Sequence, residues 1–476
     1  MNAAPSPPPS TAAGRRSLGR VLINRNFALL WAGETISVIG DATFAVTLVL
    51  WVTLVIARGQ PWTPLAVSGV LLATISPELL IAPFAGVFAD RWNKRRTMLA
   101  MDAARALLII LLLLATGAMP LPFLRGGQLS GTWQLGLIYG VVFLASACSQ
   151  FFNPSMFALI AALVAEPERA HASGLRQGSS SLAAIIGPSL AALLFFRAGI
   201  GWALLLNALS FVVSCAAVLA VRVPTTSPNS SPTQQEPFLR EFAGGLRFYF
   251  GNRVLVTLLV AGVLTLLGFG TLNTLDIFFV TENLRAAPSV YGILTSLQGV
   301  GLIAGAAATT LLARRIGAAR IFGCSLVAWG ITILVYARMT TVAPAIALMC
   351  VTGVLLSAAQ IAETPLFMHD TPHELLGRVY SIFAPAISAA ELVGIGLSGY
   401  LASTTLRHFH ATVLGVAAGP VDTIFSAVGL SILAAGVYAL VSLRQLTLRL
   451  GSRPAGSRDR RGSRIGGTGT TSTRTA

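Results

Sequence analysis

Apolar residues along this chain gather into runs of about 20 or more, and the short polar stretches between them carry most of the arginines. A helix needs roughly 20 apolar residues to cross the hydrocarbon core of a bilayer, so each run reads as a membrane span. One set falls at about residues 27–56, 65–89, 98–118, 133–152, 174–196 and 202–221. A second set falls at about 254–280, 290–313, 319–337, 343–366, 379–403 and 421–443. The pattern predicts an all-α membrane protein with twelve transmembrane helices in two six-helix halves. The expected divisions are a disordered tail (1–20), a first half (21–223), a linker (224–250), a second half (251–445) and an Arg-rich tail (446–476).

Composition sharpens this reading by exclusion. Charged residues make up 11% of the chain, against about 25% in a typical soluble domain. An ordinary soluble enzyme and a disordered chain are both excluded. The net charge is +16, from 33 basic and 17 acidic residues, and Lys94 is the single lysine. A nucleic-acid partner does not follow, because the basic residues lie in short clusters between apolar runs and form no continuous face. They track membrane topology instead. Arg15, Arg16, Arg20, Arg25 and the cluster from Arg91 to Arg96 fall on one side with Arg314, Arg315, Arg378 and the tail, while the opposite loops carry one arginine each. By the positive-inside rule both termini are expected in the cytoplasm. No cleavable leader is expected in the first 26 residues, so the first helix is read as its own insertion signal. The four cysteines lie inside apolar runs without metal-type spacing and read as inert thiols.

The halves resemble each other. Asn24-Arg25 opens the first span and Asn252-Arg253 the seventh, and Gly40 and Gly268 follow at the same distance. Arg95-Arg96 after the second span has a counterpart in Arg314-Arg315 after the eighth. Duplicated halves of this kind hold substrate near the bilayer midplane, at the repeat interface.

The connection after the second span reads Gly86-Val-Phe-Ala-Asp90-Arg91-Trp-Asn-Lys94-Arg95-Arg96. It resembles the G-x-x-x-D-R-x-x-R-R motif of the major facilitator superfamily, on the loop where that family carries it. Asn24-Arg-Asn-Phe27 leading to Gly40-Asp41, Asp102-Ala-Ala-Arg105, Phe151-Phe-Asn-Pro154 and Pro372-His-Glu374-Leu-Leu-Gly377-Arg378-Val379 are similar to the drug-efflux branch that includes macrolide and siderophore exporters. The resemblance spans about residues 21–445 and implies a secondary transporter of a bacterial inner membrane, exporting amphipathic organic compounds in exchange for protons. It also implies a gate in which Asp90 meets the start of the eleventh helix near Arg378, with Arg91 and Arg95 beside it and Asp102 and Arg105 linked to it. Two departures stand. The loop after the eighth span has Ala313-Arg-Arg-Ile-Gly317 without an acid, and the fifth span has Gly187-Pro188 followed by Ala191-Ala192 where the antiporter motif continues with glycines.

Acids inside spans are the sharpest chemical signal, since each costs about 2.5–3.5 kcal/mol at a helix centre on insertion scales. Glu34 and Asp41 are seven residues apart on the first helix and share nearly one face. Carboxylates so placed can take a proton from one side and release it to the other; the structural alternative is a fixed bond to a neighbouring helix. Glu363 lies before Pro365 near the end of the tenth span, and either lines a cavity opposite the first helix or caps a turn. Glu391 in the eleventh is either a second proton or substrate site or an interhelical hydrogen bond. Asp276 is a candidate for the extracellular vestibule, and Gln150 and Asn153 could orient a polar substrate group or simply pack. Aromatic residues in the spans could build an apolar binding surface. His369 and His373 lack further ligands for a metal, and the chain has no P-loop. No cofactor and no enzymatic activity are expected, and a monomer in the bilayer is the expected unit. The rival readings are a same-fold transporter of a specific metabolite or lipid and a non-transporting membrane sensor or scaffold.

Overall fold

A computed structural model describes residues 23–118, 130–222, 246–369, 371–372, 375–407, 409, 411–413 and 416–451. The expected N-terminal tail, all but residues 446–451 of the expected C-terminal tail and most of the expected linker lie outside these residues. Among the described residues twelve helices are long and apolar enough to cross a membrane. They are α1 (Arg25–Ile56), α2 (Thr63–Leu80), α3 (Lys94–Ala115), α4 (Gly131–Leu163), α5 (Glu166–Ala198), α6 (Ile200–Ala220), α7 (Arg253–Asn283), α8 (Ser289–Leu312), α9 (Ala318–Tyr336), α10 (Val342–His369), α11 (Val379–Ser403) and α12 (Pro420–Arg444). A short antiparallel hairpin, β1 (Ala411–Val413) and β2 (Val416–Ala418), joins the last two. The all-helical twelve-span class expected from the apolar runs is the observed one.

Local chemistry sets the helix ends. The Asn24 side chain accepts from the Phe27 N–H at 2.8 Å and that of Asn252 from the Val254 N–H at 2.9 Å, so the repeated Asn-Arg pairs are N-caps. Asn93 does the same for α3, accepting from the Arg96 N–H at 3.1 Å. Prolines account for two boundaries that differ from expectation. The second apolar run is not one helix: it breaks at Ile81, and a separate helical segment, Ala82–Arg91, carries a proline in its first turn. Conversely α4 runs through Pro154 to Leu163, well beyond the expected stop. A membrane helix tolerates a proline where neighbouring groups take up the freed carbonyls.

The two halves pack alike. In the first, α1 lies against α5 and α6, α3 against α4 and α6, and α2 against α4; in the second, α7 lies against α11 and α12, α9 against α10 and α12, and α8 against α10. The repeated glycines explain part of this. A Cβ on Gly40 would sit 2.5 Å from Ser210 Oγ of α6, and one on Gly268 would sit 2.9 Å from Val428 Cγ1 of α12. Side chains such as Leu107 and Leu311 point outward, 67% and 76% exposed, which suits a hydrocarbon solvent and not water.

The halves meet along two seams, α2 with α11 and α5 with α8. On the side away from the chain termini, Ser68 Oγ donates to the Ile395 carbonyl at 2.9 Å and the Leu65 N–H donates to Ser403 Oγ at 3.0 Å. Across the other seam Ser189 and Ser296 share a 2.7 Å hydroxyl contact. A Cβ on Gly292 would lie 2.6 Å from the Pro188 carbonyl, and one on Gly299 would lie 2.9 Å from Ala184. Toward the terminal side α5 stays on α1, where Thr35 and Ser179 share a 2.7 Å hydroxyl contact, while a Cβ on Gly174 or Gly178 would meet nothing within 4 Å.

Candidate functional site

A cavity of about 260 Å³ lies inside the first half, walled by α1, α2, α3, α4 and α6. Asp41, Arg105, Ser149, Gln150 and Asn207 give it a polar side, while Phe44, Ile109 and Phe211 give it an apolar one. The close approach of α1 to α6 at Gly40 brings Asp41 beside Asn207. The Asp41 side chain is 45% exposed, so its carboxylate faces the open space.

Arg105 is the hub. It is 4% exposed, yet its charge is surrounded by partners. It pairs with Asp102 one turn earlier on α3 and with Asp41 Oδ2 at 3.8 Å, and it donates to Ser149 Oγ at 3.3 Å. Its guanidinium also lies 4.7 Å from the Phe152 ring centroid and 4.4 Å from that of Phe211. Cation–π contacts of this kind hold a desolvated guanidinium in place. Asp102 is fully buried and tied to the hub, whereas Asp41 is loosely paired and accessible. Two carboxylates share one guanidinium here, so the group carries one negative charge with both acids ionised.

The other sequence candidates divide. Glu34 is 7% exposed and does not reach the cavity. It accepts from Arg176 Nε at 2.8 Å, and Arg176 in turn sits 4.2 Å from the Phe157 ring. The shared face expected for Glu34 and Asp41 is therefore split by packing, with Glu34 facing α5 and Asp41 facing the cavity. Asp102 and Arg105 pair one turn apart on α3, and Arg105 lines the Asp41 cavity; the Asp90 side chain to which they were expected to link lies outside the described residues. Gln150 lines the cavity, whereas Asn153, immediately before Pro154, is exposed.

In the second half Asp276 is 3% exposed and accepts from the Tyr336 hydroxyl at 2.7 Å, within a stack of Phe279, Tyr336 and Phe425. The vestibule expected for it is lined by other residues, among them Thr281, Glu282 and Arg58. Glu363 lines a different cavity, between α10 and α11. Glu391 lies at the seam of the halves, near Glu78 of α2, whose Oε1 accepts from Ser388 Oγ at 3.4 Å. The side chains of Asp90 and Arg378 lie outside the described residues. Arg91 is exposed. Arg95 donates to the carbonyls of Val218 at 3.2 Å and Leu219 at 2.6 Å, which satisfies the last turn of α6.

Sequence reasoning missed Arg176, Asn207 and Glu78. Each was visible as a polar residue inside an apolar run; what the sequence withholds is which distant helix it faces.

The comparisons with known proteins bear on the family and the fold. The Major Facilitator Superfamily matches residues 30–282, more than half of the chain. The chain belongs to that superfamily. Macrolide efflux protein A of Streptococcus pyogenes is 23% identical over 378 residues, 79% of this chain and 89% of that protein. The multidrug efflux pump Tap of Mycobacterium bovis is 24% identical over 398 residues, 78% and 89%. Among solved structures, the nucleoside transporter NupG superposes with a TM-score of 0.65 at 11% identity, covering 88% of this chain and all of that one. A bacterial homologue of the iron transporter ferroportin in an inward-facing state gives 0.64 at 18% identity, covering 92% and 100%. These structures share the fold. As a member of the superfamily the protein is a multi-pass membrane transporter of small molecules.

Proposed function

We propose that this superfamily member is a proton-coupled exporter of amphipathic organic compounds, working by alternating access of the cleft between its halves. The observation that carries the reading is the accessible Asp41 carboxylate beside a buried arginine already committed to Asp102. With one guanidinium against two carboxylates, the group accepts one positive charge: a proton, or a cationic group of the cargo. The two compete for the same site, which is the thermodynamic requirement of exchange. Phe44, Ile109 and Phe211 supply the apolar wall that an amphipathic molecule needs, and Ser149, Gln150 and Asn207 can orient its polar groups. The efflux pumps among the relatives support the direction of transport.

In this reading the terminal side is cytoplasmic, and the seams at Ser68–Ile395 and Ser189–Ser296 close the opposite side. Their contacts would separate when the cavity opens outward, and the Asp90 loop would then close the cytoplasmic side. The bacterial inner membrane and the absence of a required partner subunit belong to the same proposal.

The test is efflux of a fluorescent amphiphile from proteoliposomes under an imposed pH gradient. Asp41→Asn is expected to lose gradient dependence. Gradient-driven efflux at the wild-type rate in that variant would remove Asp41 from the coupling.

A further inference from the structure

We infer that the cavity between α10 and α11 is a second binding site, selective for a hydrophobic organic monocation, separate from the Asp41 cavity. It measures about 540 Å³, within the range of roughly 300–1,000 Å³ that small-molecule sites occupy. Glu363 and Thr364 form one edge, and Phe367, Tyr380 and Phe383 form the walls.

Three observations carry the assignment. The first is charge. Glu363 is the ionisable acid on the lining, and among the described residues no cation accompanies it there. Its Oε1 is buried and, among the described residues, has no hydrogen-bond partner. A capping carboxylate would be spent on backbone N–H groups, and this oxygen is not. Glu34 in the other half is the contrast, since Arg176 already neutralises it. An uncompensated carboxylate in an apolar recess favours a positive ligand over a neutral one.

The second is the form of the walls. The Phe367 ring stands nearly perpendicular to Tyr380, at 85° and 6.1 Å between centroids, and lies 5.5 Å from Phe383. Three aromatic rings thus border the recess that Glu363 also lines, and aromatic faces beside a carboxylate attract a dispersed cation such as a quaternary ammonium or phosphonium. Phe367 and Phe383 are buried and fixed, whereas Tyr380 and Met368 are each 61% exposed and can adapt to a ligand's shape.

The third is separation. The Asp41 cavity is built wholly from α1, α2, α3, α4 and α6, and this one wholly from α10 and α11. Gly262 of α7 backs the second cavity, with a Cβ there meeting Ile387 at 3.2 Å and Phe383 at 3.4 Å. No lining residue is common to the two sites, so both can be filled at once. The helical residues 246–251 ahead of α7 add a neighbour: Tyr249 is fully buried, and burial together with the nearby Glu363 pushes its phenol up.

The inference rests on the export reading for its purpose, since the cation would be a cargo or a modulator of the cargo. Its test does not depend on transport. Equilibrium binding of tetraphenylphosphonium to the purified full-length protein carrying Asp41→Asn, which removes the cation site of the first cavity, is the readout, with neutral triphenylphosphine oxide as the uncharged probe. Saturable cation binding is expected, weakened about tenfold or more by Glu363→Gln. Glu363→Asp, which keeps the charge, should retain most of it. Tyr380→Ala, at an exposed position, should weaken it about two- to fivefold. The neutral probe should bind weakly and indifferently to Glu363→Gln. Wild-type cation affinity in Glu363→Gln would overturn the inference, and so would equally tight binding of the neutral probe, which would mark an apolar recess for lipid tails. If the cation binds as described while no efflux occurs, the export reading fails and the site stands. If efflux runs normally and Glu363→Gln binds as wild type, the reverse holds.

Discussion

A carboxylate in a membrane helix acts according to its partner, and the two acids on α1 show the difference. Glu34 is matched by Arg176 within the helix packing, whereas Asp41 shares an arginine with a second acid and faces the cavity. Removing one member of a buried pair strands the other. Glu34→Gln is therefore expected to lower the stability of the folded protein by about 1–3 kcal/mol, read as a drop in melting temperature in detergent, while proton coupling survives. Glu34→Gln combined with Arg176→Met should recover most of the loss; no recovery would mean that the pair is not what holds α1 to α5. Arg105→Lys should fail despite keeping the charge. A lysine cannot serve Asp102, Asp41 and Ser149 from one planar fork, and transport should fall about tenfold or more. Near wild-type transport in Arg105→Lys would reduce the hub to a simple counter-charge. Both acids were legible in the sequence as costly charges in an apolar run. Their different roles were not, because Arg176 is 142 residues from Glu34 and nothing local in the chain announces the contact.

Helices gain their places here from small residues that let backbones approach, as is usual in membranes. Gly40 is the clearest case, since it seats α1 on Ser210 and so sets Asp41 beside Asn207. Gly40→Leu should displace α1 and reduce the yield of folded protein by size-exclusion in detergent, whereas Gly136→Leu, where a Cβ meets nothing within 4 Å, should be tolerated. Equal behaviour of the two would show that α1–α6 proximity does not depend on Gly40. At this scale the sequence was a good guide to existence and order. All twelve spans and the repeated Asn-Arg openings of α1 and α7 were visible in hydropathy and repeat; that the asparagines cap the helices was not. It was a poor guide to ends near proline. Pro154 lies within a continuous α4, whereas the break in the second apolar run falls at Ile81, four residues after Pro77 and just before a proline-containing first turn. Which of these outcomes a proline produces depends on neighbouring helices that a single run of residues does not contain.

Across the whole molecule, two helix bundles meet along the α2–α11 and α5–α8 seams, and transport by alternating access requires those seams to open. Ser189 and Ser296 face each other at 2.7 Å across one of them. A short chemical cross-link between Ser189→Cys and Ser296→Cys should stop transport, and reductive release should restore it. Undiminished transport in the linked protein would contradict opening of this side. The duplicated architecture was legible from the repeated Asn-Arg and Gly positions, and the match to the superfamily followed from the motif after the second span. The pairing of α2 with α11 and α5 with α8 was not, since small residues facing across a seam look like any others in a hydrophobic run. Nor did the sequence separate the Asp41 cavity from the recess holding Glu363, because both acids read alike until the helices around them are in place.

In the proposed mechanism Asp102, Arg105 and Asp41 form a group with one negative charge when both acids are ionised, which a proton or a cargo cation neutralises. Efflux of a fluorescent amphiphile from proteoliposomes under an imposed pH gradient tests it most directly, with wild type and Asp41→Asn compared side by side. Gradient-driven efflux is expected in the wild type, and none above the gradient-free rate in Asp41→Asn. Equal gradient-driven efflux in both would contradict it and place the coupling on another group.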